Sequence, residues 1–214
     1  DPRVAAAQGL LIAPARTFSL GSVDDTWAKC TTIVEGRVDS AGQEHLYLET
    51  QASMALTDEQ GRIKVYSSTQ SPTAVQRTVA NVLGVGMNAV EVDVRRLGGG
   101  FGGKEDQATA WACLAALGAY HLKRPVKIIL SRHDDMLMTG KRHPYSSDFK
   151  LGLDAKGMFL AYEATYYQNS GAAADLSTAI LERTLFHATN TYFIPNVKAT
   201  ALPCKTNLVP FTAF

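Results

Sequence analysis

The sequence has few cysteines, and they are scattered. Only three occur among the 214 residues, Cys30, Cys113 and Cys204, and no two of them have a metal-ligand spacing such as C-x-x-C. The cysteine sets that hold iron–sulfur clusters are therefore absent from the sequence. Single thiols of this kind fit a reducing compartment, where a buried cysteine behaves as a small hydrophobic side chain. We therefore expect a cytoplasmic protein.

Long apolar runs and an excess of charge of one sign are also missing. No stretch approaches about 18 consecutive apolar residues, the length that predicts a membrane span, so we expect no membrane contact. The 21 basic and 20 acidic side chains are mixed and leave a formal net charge of +1. They form no basic stripe that would indicate a nucleic-acid partner. Because the chain starts without methionine and stops at Phe214 without a polar tail, we expect it to be a fragment of a longer chain.

Runs of β-branched residues alternate with helical patterns, which predicts an α+β fold with mixed sheets and packed helices. The predicted strands cover residues 29–38, 46–49, 53–57, 62–67, 90–97, 126–130, 148–153 and 159–167. The predicted helices cover residues 72–83, 107–122 and 178–186. Residues 1–25 show no period and are predicted as an N-terminal arm or linker, followed by one domain over residues 26–214.

A glycine-rich loop stands out between a predicted strand and a predicted helix. Residues 98–103 contain five glycines in six positions, and Lys104 and Glu105 follow. Glycines let backbone N–H groups turn toward a ligand and approach it closely. The helix N-terminus behind the loop adds a positive dipole that favours an anion. This arrangement predicts a polar or anionic ligand at the loop.

Two common phosphate-binding motifs share part of this pattern. Residues 98–103 satisfy G-x-G-x-x-G, but the strand before them carries Glu91 and Asp93, whereas the first strand of a Rossmann fold is buried on both faces. Residues 98–104 satisfy the P-loop pattern G-x-x-x-x-G-K, but Glu105 stands where a serine or threonine should bind magnesium. A carboxylate there would repel a triphosphate. Neither motif is therefore favoured.

The segment 98–105, GGGFGGKE, is typical of molybdenum hydroxylases, and the chain resembles the xanthine dehydrogenase type of that family over almost its full length. Four further blocks occur in the family's order, at residues 42–50, 68–70, 182–187 and 204–208. The resemblance implies a molybdopterin-binding domain of the xanthine dehydrogenase and aldehyde oxidase type. Residues 26–214 would form the first, incomplete part of it.

The resemblance implies a molybdenum–molybdopterin cofactor beside the loop. Gln70 would donate a hydrogen bond to an oxygen ligand of the metal, since a neutral amide donates without adding charge. Gly100, Phe101 and Gly102 would line the cofactor, with the backbone N–H groups of Phe101 and Gly102 facing the metal centre. Without the motif, the residues favour Gln70 as a strand-end amide that caps the helix at Ser71.

Glu105 and Arg183 are the residues that the resemblance links to the substrate. In the family, a glutamate and an arginine at these places mark enzymes that take purines. Glu105 would hydrogen-bond the purine ring, and Arg183 would stabilise negative charge that grows on a ring oxygen. Outside the motifs, Glu105 is explained as an acid in a first helical turn, and Arg183 as a surface residue beside Glu182.

The implied activity is oxidative hydroxylation of xanthine or hypoxanthine toward urate. One alternative is a molybdenum hydroxylase that acts on an aldehyde or another N-heterocycle, and the other is a non-catalytic binding or assembly module of the same fold. The family also implies the rest of the molybdenum region, 2Fe–2S clusters and FAD in other domains or subunits. The family's second glutamate, a base far downstream, has no counterpart here, so we expect the isolated chain to be inactive.

Overall fold

The computed structural model describes residues 1–213, which form two mixed sheets with packed helices and confirm the predicted α+β class. The strands are β1 (Arg16–Leu20), β2 (Thr32–Ser40), β3 (Ala52–Thr57), β4 (Ile63–Ser67), β5 (Val90–Asp93), β6 (Val126–Ile129), β7 (Tyr145–Leu153), β8 (Phe159–Gly171) and β9 (Asn196–Lys205). The helices are α1 (Pro2–Ala7), α2 (Pro72–Leu83), α3 (Gln107–Leu122), α4 (Arg132–Met138) and α5 (Ser177–Phe186). Among these described helices, none is long and apolar enough to cross a membrane.

The chain divides into two compact units. The first unit comprises Asp1–Gln43 and His143–Phe211, and the second comprises Glu44–Arg142 with the chain from Thr212 onward. The first therefore contains a sheet built from both ends of the sequence, whereas the second is almost continuous.

The first unit is a five-stranded sheet in the order β1-β9-β8-β7-β2, with helix α5 packed against it. Strands β8 and β9 are parallel, and the other neighbours are antiparallel. The predicted hairpin joins β7 to β8. Its turn is stabilised by the carboxylate of Asp154, which accepts hydrogen bonds from the N–H groups of Lys156 and Met158 at 2.8 and 2.9 Å. The core between sheet and helix consists of apolar residues, namely Leu181, Leu185, Ile194, Val197, Ala199 and Ala201.

The stretch predicted as an N-terminal arm, residues 1–25, contributes α1 and β1 to this first unit. Strand β1 pairs with β9 at the edge of the sheet, from Arg16 opposite Ala201 to Leu20 opposite Val197. All five of its residues are exposed. Its residues do alternate, with apolar Phe18 and Leu20 next to polar Thr17 and Ser19, although neither face of the strand is buried.

The second unit is a four-stranded sheet in the order β5-β4-β3-β6, covered by α2 and α3. Helix α2 begins at Pro72 and ends at Gly84, whose φ of +67° is the left-handed conformation of a helix C-cap. Helix α3 has the predicted bounds. Its core-facing positions are alanines with no exposed area, so that the helix packs closely on the sheet; they are Ala112, Ala115, Ala116 and Ala119.

The predicted strand at residues 46–49 is wrong. Tyr47 is buried there, but the segment pairs with no strand among the described residues. Its carbonyl groups are instead satisfied by a side chain, because the guanidinium of Arg132 donates to the backbone oxygens of Tyr47 and Leu48. Strand β5 is also shorter than predicted and ends at Asp93.

Candidate cofactor-binding site

The glycine loop runs from the end of β5 toward the start of α3, and its backbone is left-handed at three positions. Gly99, Phe101 and Gly102 have φ values of +92°, +51° and +89°. Phe101 is unusual because a side chain disfavours this region, so neighbouring contacts must hold it there. The side chain of Phe101 is 63% exposed. The loop is thus held in a costly conformation although its central side chain is largely exposed.

Gln70, at the end of the segment that follows β4, holds the middle of the loop. Its Oε1 accepts hydrogen bonds from the N–H groups of Gly102 at 3.0 Å and Lys104 at 3.2 Å. Its own N–H donates to the carbonyl of Lys104 at 2.8 Å. Gly100 allows this close approach, since a Cβ at that position would lie 2.4 Å from Gln70 Oε1.

These contacts fix the direction of the Gln70 amide. Both partners of the side-chain oxygen are N–H donors, so the oxygen faces the loop and the NH₂ group faces away from it. Gln70 is exposed, and Nε2 has no hydrogen-bond partner among residues 1–213. The arrangement therefore offers a neutral, oriented donor to a ligand in front of the loop.

The two predicted backbone donors differ in the structure. The N–H of Gly102 is taken up by Gln70 Oε1. The N–H of Phe101 has no acceptor within the described part of the chain. Phe101 N–H and Gln70 Nε2 thus remain as donors for a ligand, together with the N–H groups of Gly99 and Gly100, which also have no acceptor among the described residues. The missing side chains at Gly100 and Gly102 let the loop lie close around Gln70.

Glu49 holds the start of the loop. Its carboxylate accepts hydrogen bonds from Gly98 N–H at 2.8 Å and from the Ser68 hydroxyl at 2.7 Å, and its N–H donates to the Gly98 carbonyl at 3.0 Å. Burial opposes ionisation of Glu49. The bonds from Gly98 and Ser68 and the charge of Lys104 outweigh that penalty and hold its pKa below the usual value.

The end of the loop is held by Lys104, whose side chain has no exposed area. Its ammonium group donates to Ser68 Oγ at 2.6 Å and to the Glu49 carbonyl at 2.7 Å, and lies 3.3 Å from Glu49 Oε2. It also lies 4.5 Å from the centre of the Tyr47 ring. Burial lowers the Lys104 pKa, and Glu49 partly offsets this effect.

A second buried network supports Gly103. Asp135 is fully buried and accepts hydrogen bonds from Tyr47 Oη at 2.7 Å and from Gln51 N–H at 2.6 Å. The Gln51 amide in turn donates to the Gly103 carbonyl at 2.9 Å. Burial, followed by the neighbouring Asp135 carboxylate, raises the pKa of Tyr47, so that its hydroxyl stays a donor. A Cβ at Gly103 would lie 2.8 Å from the rings of His45 and Tyr47.

Several of these supporting residues were assigned no role from the sequence, namely Tyr47, Glu49, Gln51, Ser68 and Asp135. Tyr47 and Glu49 lie inside one motif block and Ser68 inside another, which was the one signal available. Their partners are far away in sequence, since 55 positions separate Lys104 from Glu49 and 88 separate Asp135 from Tyr47. Only the fold brings them together.

The structure also argues against both phosphate-binding alternatives. A P-loop lysine reaches outward to phosphate oxygens, whereas Lys104 points inward and is surrounded by protein acceptors. A Rossmann first strand lies inside a parallel sheet, whereas β5 is an edge strand of a sheet in which β3 is antiparallel to both neighbours.

The two residues predicted to contact substrate belong to different units. Glu105 follows the loop in the second unit, is half-buried, and has no hydrogen-bond or ion-pair partner among residues 1–213. Arg183 lies exposed on α5 in the first unit. Helix α5 is fixed there by buried polar contacts, because the hydroxyl of Tyr145 lies 2.7 Å from Thr184 Oγ1 and donates to Gln168 Oε1 at 2.6 Å.

The fold and the loop together form a domain in which one side-chain amide and backbone N–H groups are left to donate to a polar ligand. The family model for the molybdopterin cofactor-binding domain matches residues 8–214. The chain therefore belongs to that family, and the predicted molybdopterin-binding fold is confirmed.

Curated relatives are similar over most of the chain. A protein named xanthine dehydrogenase from Dictyostelium discoideum is 42% identical over 194 residues, which is 91% of this chain and 14% of the relative. A xanthine dehydrogenase/oxidase from Felis catus is 43% identical over 202 residues, or 94% of this chain and 15% of the relative. The chain thus spans 14–15% of the length of these relatives.

Solved structures show the same fold at low identity. The aldehyde oxidoreductase from Desulfovibrio gigas has a TM-score of 0.85 at 21% identity, covering 95% of this chain and 22% of that one. Quinoline 2-oxidoreductase from Pseudomonas putida 86 has a TM-score of 0.81 at 21% identity, covering 95% of this chain and 26% of that one. At this identity the similarity concerns the fold.

Proposed function

We propose that this chain is the first part of the molybdenum-binding region of a xanthine dehydrogenase-type hydroxylase, which converts xanthine or hypoxanthine toward urate. The observation that carries the proposal is the Gln70 amide. Its oxygen is fixed by two loop N–H groups, and within residues 1–213 neither its NH₂ nor the N–H of Phe101 has an acceptor. Purine catabolism would be the setting.

The donors of the loop fit a molybdopterin cofactor. Oxygen ligands of molybdenum accept hydrogen bonds, and Gln70 Nε2 and Phe101 N–H are neutral donors that add no charge to the site. When bound, the cofactor would supply the two-electron oxidation of a substrate carbon. The residues of the loop would orient it, and the glycines would let the backbone approach.

Glu105 and Arg183 would recognise a purine. Glu105 has no protein partner among the described residues, so its carboxyl group is available to a ring nitrogen of the substrate. Arg183 would stabilise negative charge on a ring oxygen, an interaction that strengthens as the carbon is attacked. The identities of 42% and 43% to proteins named xanthine dehydrogenase or xanthine dehydrogenase/oxidase support a purine over an aldehyde.

The remaining partners follow from the same proposal. In the whole enzyme, 2Fe–2S clusters and FAD would accept the electrons, and they would lie in other domains or subunits together with the rest of the molybdenum region. All three cysteines are free thiols, which fits a reducing cytoplasmic location.

The proposal is tested by substrate preference in the full-length protein. We expect Glu105→Ala and Arg183→Ala each to lower kcat/KM for xanthine by about 100-fold, since each removes a charged group that acts on the transition state. Turnover of an aldehyde should fall much less. Steady-state kinetics with both substrates measure this difference.

The matched controls are Glu59→Ala and Arg77→Ala, which remove one exposed charge between β3 and β4 and one on α2. They should leave both activities unchanged. Full xanthine turnover in the Glu105 and Arg183 variants would contradict the purine assignment. A preference of the parent protein for an aldehyde or another N-heterocycle would favour the alternative substrate class. Metal analysis separates the non-catalytic alternative, because an enzyme should hold about one molybdenum per chain.

A further inference from the structure

Lys104 is the charged residue of the glycine loop to which the proposed function gives no role. Its side chain is fully buried, and a buried ammonium group is costly unless acceptors surround it. Three protein acceptors do so, the carbonyl and carboxylate of Glu49 and the hydroxyl of Ser68. The ammonium group of Lys104 is therefore used for contacts within the protein.

The contacts of Lys104 close the loop on itself. Glu49 Oε2 accepts from Gly98 N–H at the start of the loop, and the same atom lies 3.3 Å from the Lys104 ammonium at its end. The two ends of the loop are thus tied through one carboxylate. Seven residues from Gly98 to Lys104 form a ring that Glu49 completes.

The backbone of Lys104 is attached to Gln70 at the same time. Its N–H donates to Gln70 Oε1 at 3.2 Å, and its carbonyl accepts from Gln70 N–H at 2.8 Å. The carbonyl also accepts from Thr69 Oγ1 at 3.1 Å. The side chain therefore anchors the residue that fixes the direction of the Gln70 amide.

We propose that Lys104 is a positioning residue whose buried ammonium group, held by Glu49 and Ser68, locks the glycine loop against Gln70 and so aims Gln70 Nε2 and Phe101 N–H at the cofactor. The locking of the loop stands on the contacts alone. Its consequence for the cofactor rests on the proposed function.

The test uses the full-length protein with Lys104→Met, which keeps the length of the side chain and removes the ammonium group. We expect backbone amides of residues 98–104 to exchange hydrogen about tenfold faster or more, because the loop opens without its anchor. Amides of β3 and β4 should keep their protection. Molybdenum content should fall, and kcat for xanthine should drop by about 100-fold with little change in KM, as expected when reacting groups are misplaced.

Lys64→Met is the matched control. Lys64 lies on β4, in the sheet of the second unit, and forms an exposed ion pair with Glu91 at 2.8 Å. It should leave loop exchange, molybdenum content and kcat unchanged. The double variant Lys104→Met with Glu49→Gln should lose less than the sum of the single variants, because it leaves no charge unpaired. If Lys104→Met does not accumulate as folded protein, Ser68→Ala takes its place, because it removes one acceptor of the ammonium group. The changes in loop exchange, molybdenum content and kcat should then have the same direction but be smaller.

The outcomes separate the two levels of the proposal. Unchanged loop exchange in Lys104→Met, or in Ser68→Ala where that variant replaces it, would overturn the role of Lys104. Faster loop exchange with normal molybdenum content and normal kcat would uphold Lys104 as the anchor and count against the cofactor role given to the loop.

Discussion

Gly100 leaves no room for a side chain in the glycine loop. The space in which a side chain at Gly100 would lie is already filled by the Gln70 amide, at 2.4 Å from Oε1 and 2.5 Å from Cδ. Gly100 has no left-handed φ, so an alanine there would be excluded by this contact rather than by backbone strain. Because Gln70 is exposed and the contact is with the end of its side chain, the amide would be pushed out of its hydrogen bonds to the loop.

Gly100→Ala should therefore disable the site without unfolding the protein. We expect molybdenum content and xanthine turnover of the full-length protein to fall by about tenfold or more, since Gln70 loses its bonds to the loop. The melting temperature should change little. Gly86→Ala is the control, because the atom nearest to its added Cβ belongs to the exposed Asn88 side chain. A Gly100→Ala variant with full molybdenum content and activity would contradict the account.

The sequence predicted part of this residue-scale picture. Five glycines and a following helix predicted a loop for a polar ligand, and the motif singled out Gln70, Phe101 and Glu105. The inward direction of Lys104 could not be predicted, because its acceptors come from a segment 55 positions earlier. The bond from Gly102 N–H to Gln70 was also not foreseen, since G-rich patterns indicate free N–H groups without showing which ones the protein itself uses.

Among the elements, α5 carries Arg183 and depends on buried polar contacts for its place. Tyr145 lies under the helix, with burial raising its pKa, and its hydroxyl contacts Thr184 and donates to Gln168. Gln168 is fully buried, and its amide also donates to the Ser177 carbonyl at the start of α5. Removal of one hydroxyl would leave a buried acceptor unpaired.

Tyr145→Phe should accordingly loosen α5. We expect the free energy of local opening of the helix to fall by about 1 to 3 kcal/mol, the cost of an unsatisfied buried group, as measured by hydrogen exchange of α5 amides. Tyr192→Phe is the control, since Tyr192 is 59% exposed. Equal protection of α5 in the parent protein and in Tyr145→Phe would show that this contact does not hold the helix.

Elements with strong local signals were predicted well. Helix α3 has the expected bounds because its alanine- and leucine-rich run stops before Arg124-Pro125, and the β7–β8 hairpin follows from its Asp154–Gly157 turn. Strand β9 was not predicted although residues 196–201 alternate polar and apolar side chains, since two of its three apolar positions there are alanines, which are depleted in strands. The segment at residues 46–49 was predicted as a strand from three consecutive apolar side chains, of which the structure buries only Tyr47.

The whole molecule is a molybdopterin cofactor-binding domain in which a glycine loop is locked from behind by buried charged and polar side chains. The α+β class and the family followed from the sequence. The division into two units did not, because the first unit joins residues 1–43 to residues after 142, and no local pattern indicates such a pairing. The proposed function requires that a molybdopterin binds on the side of the glycine loop where Gln70 Nε2 lies.

The most direct test is a structure of the full-length protein with its cofactor bound. We predict that Gln70 Nε2 donates a hydrogen bond to an oxygen of the molybdenum cofactor at about 2.7 to 3.2 Å, while Gln70 Oε1 keeps its bonds to Gly102 and Lys104. A cofactor bound elsewhere, or a Gln70 amide whose NH₂ faces away from it, would contradict the central claim.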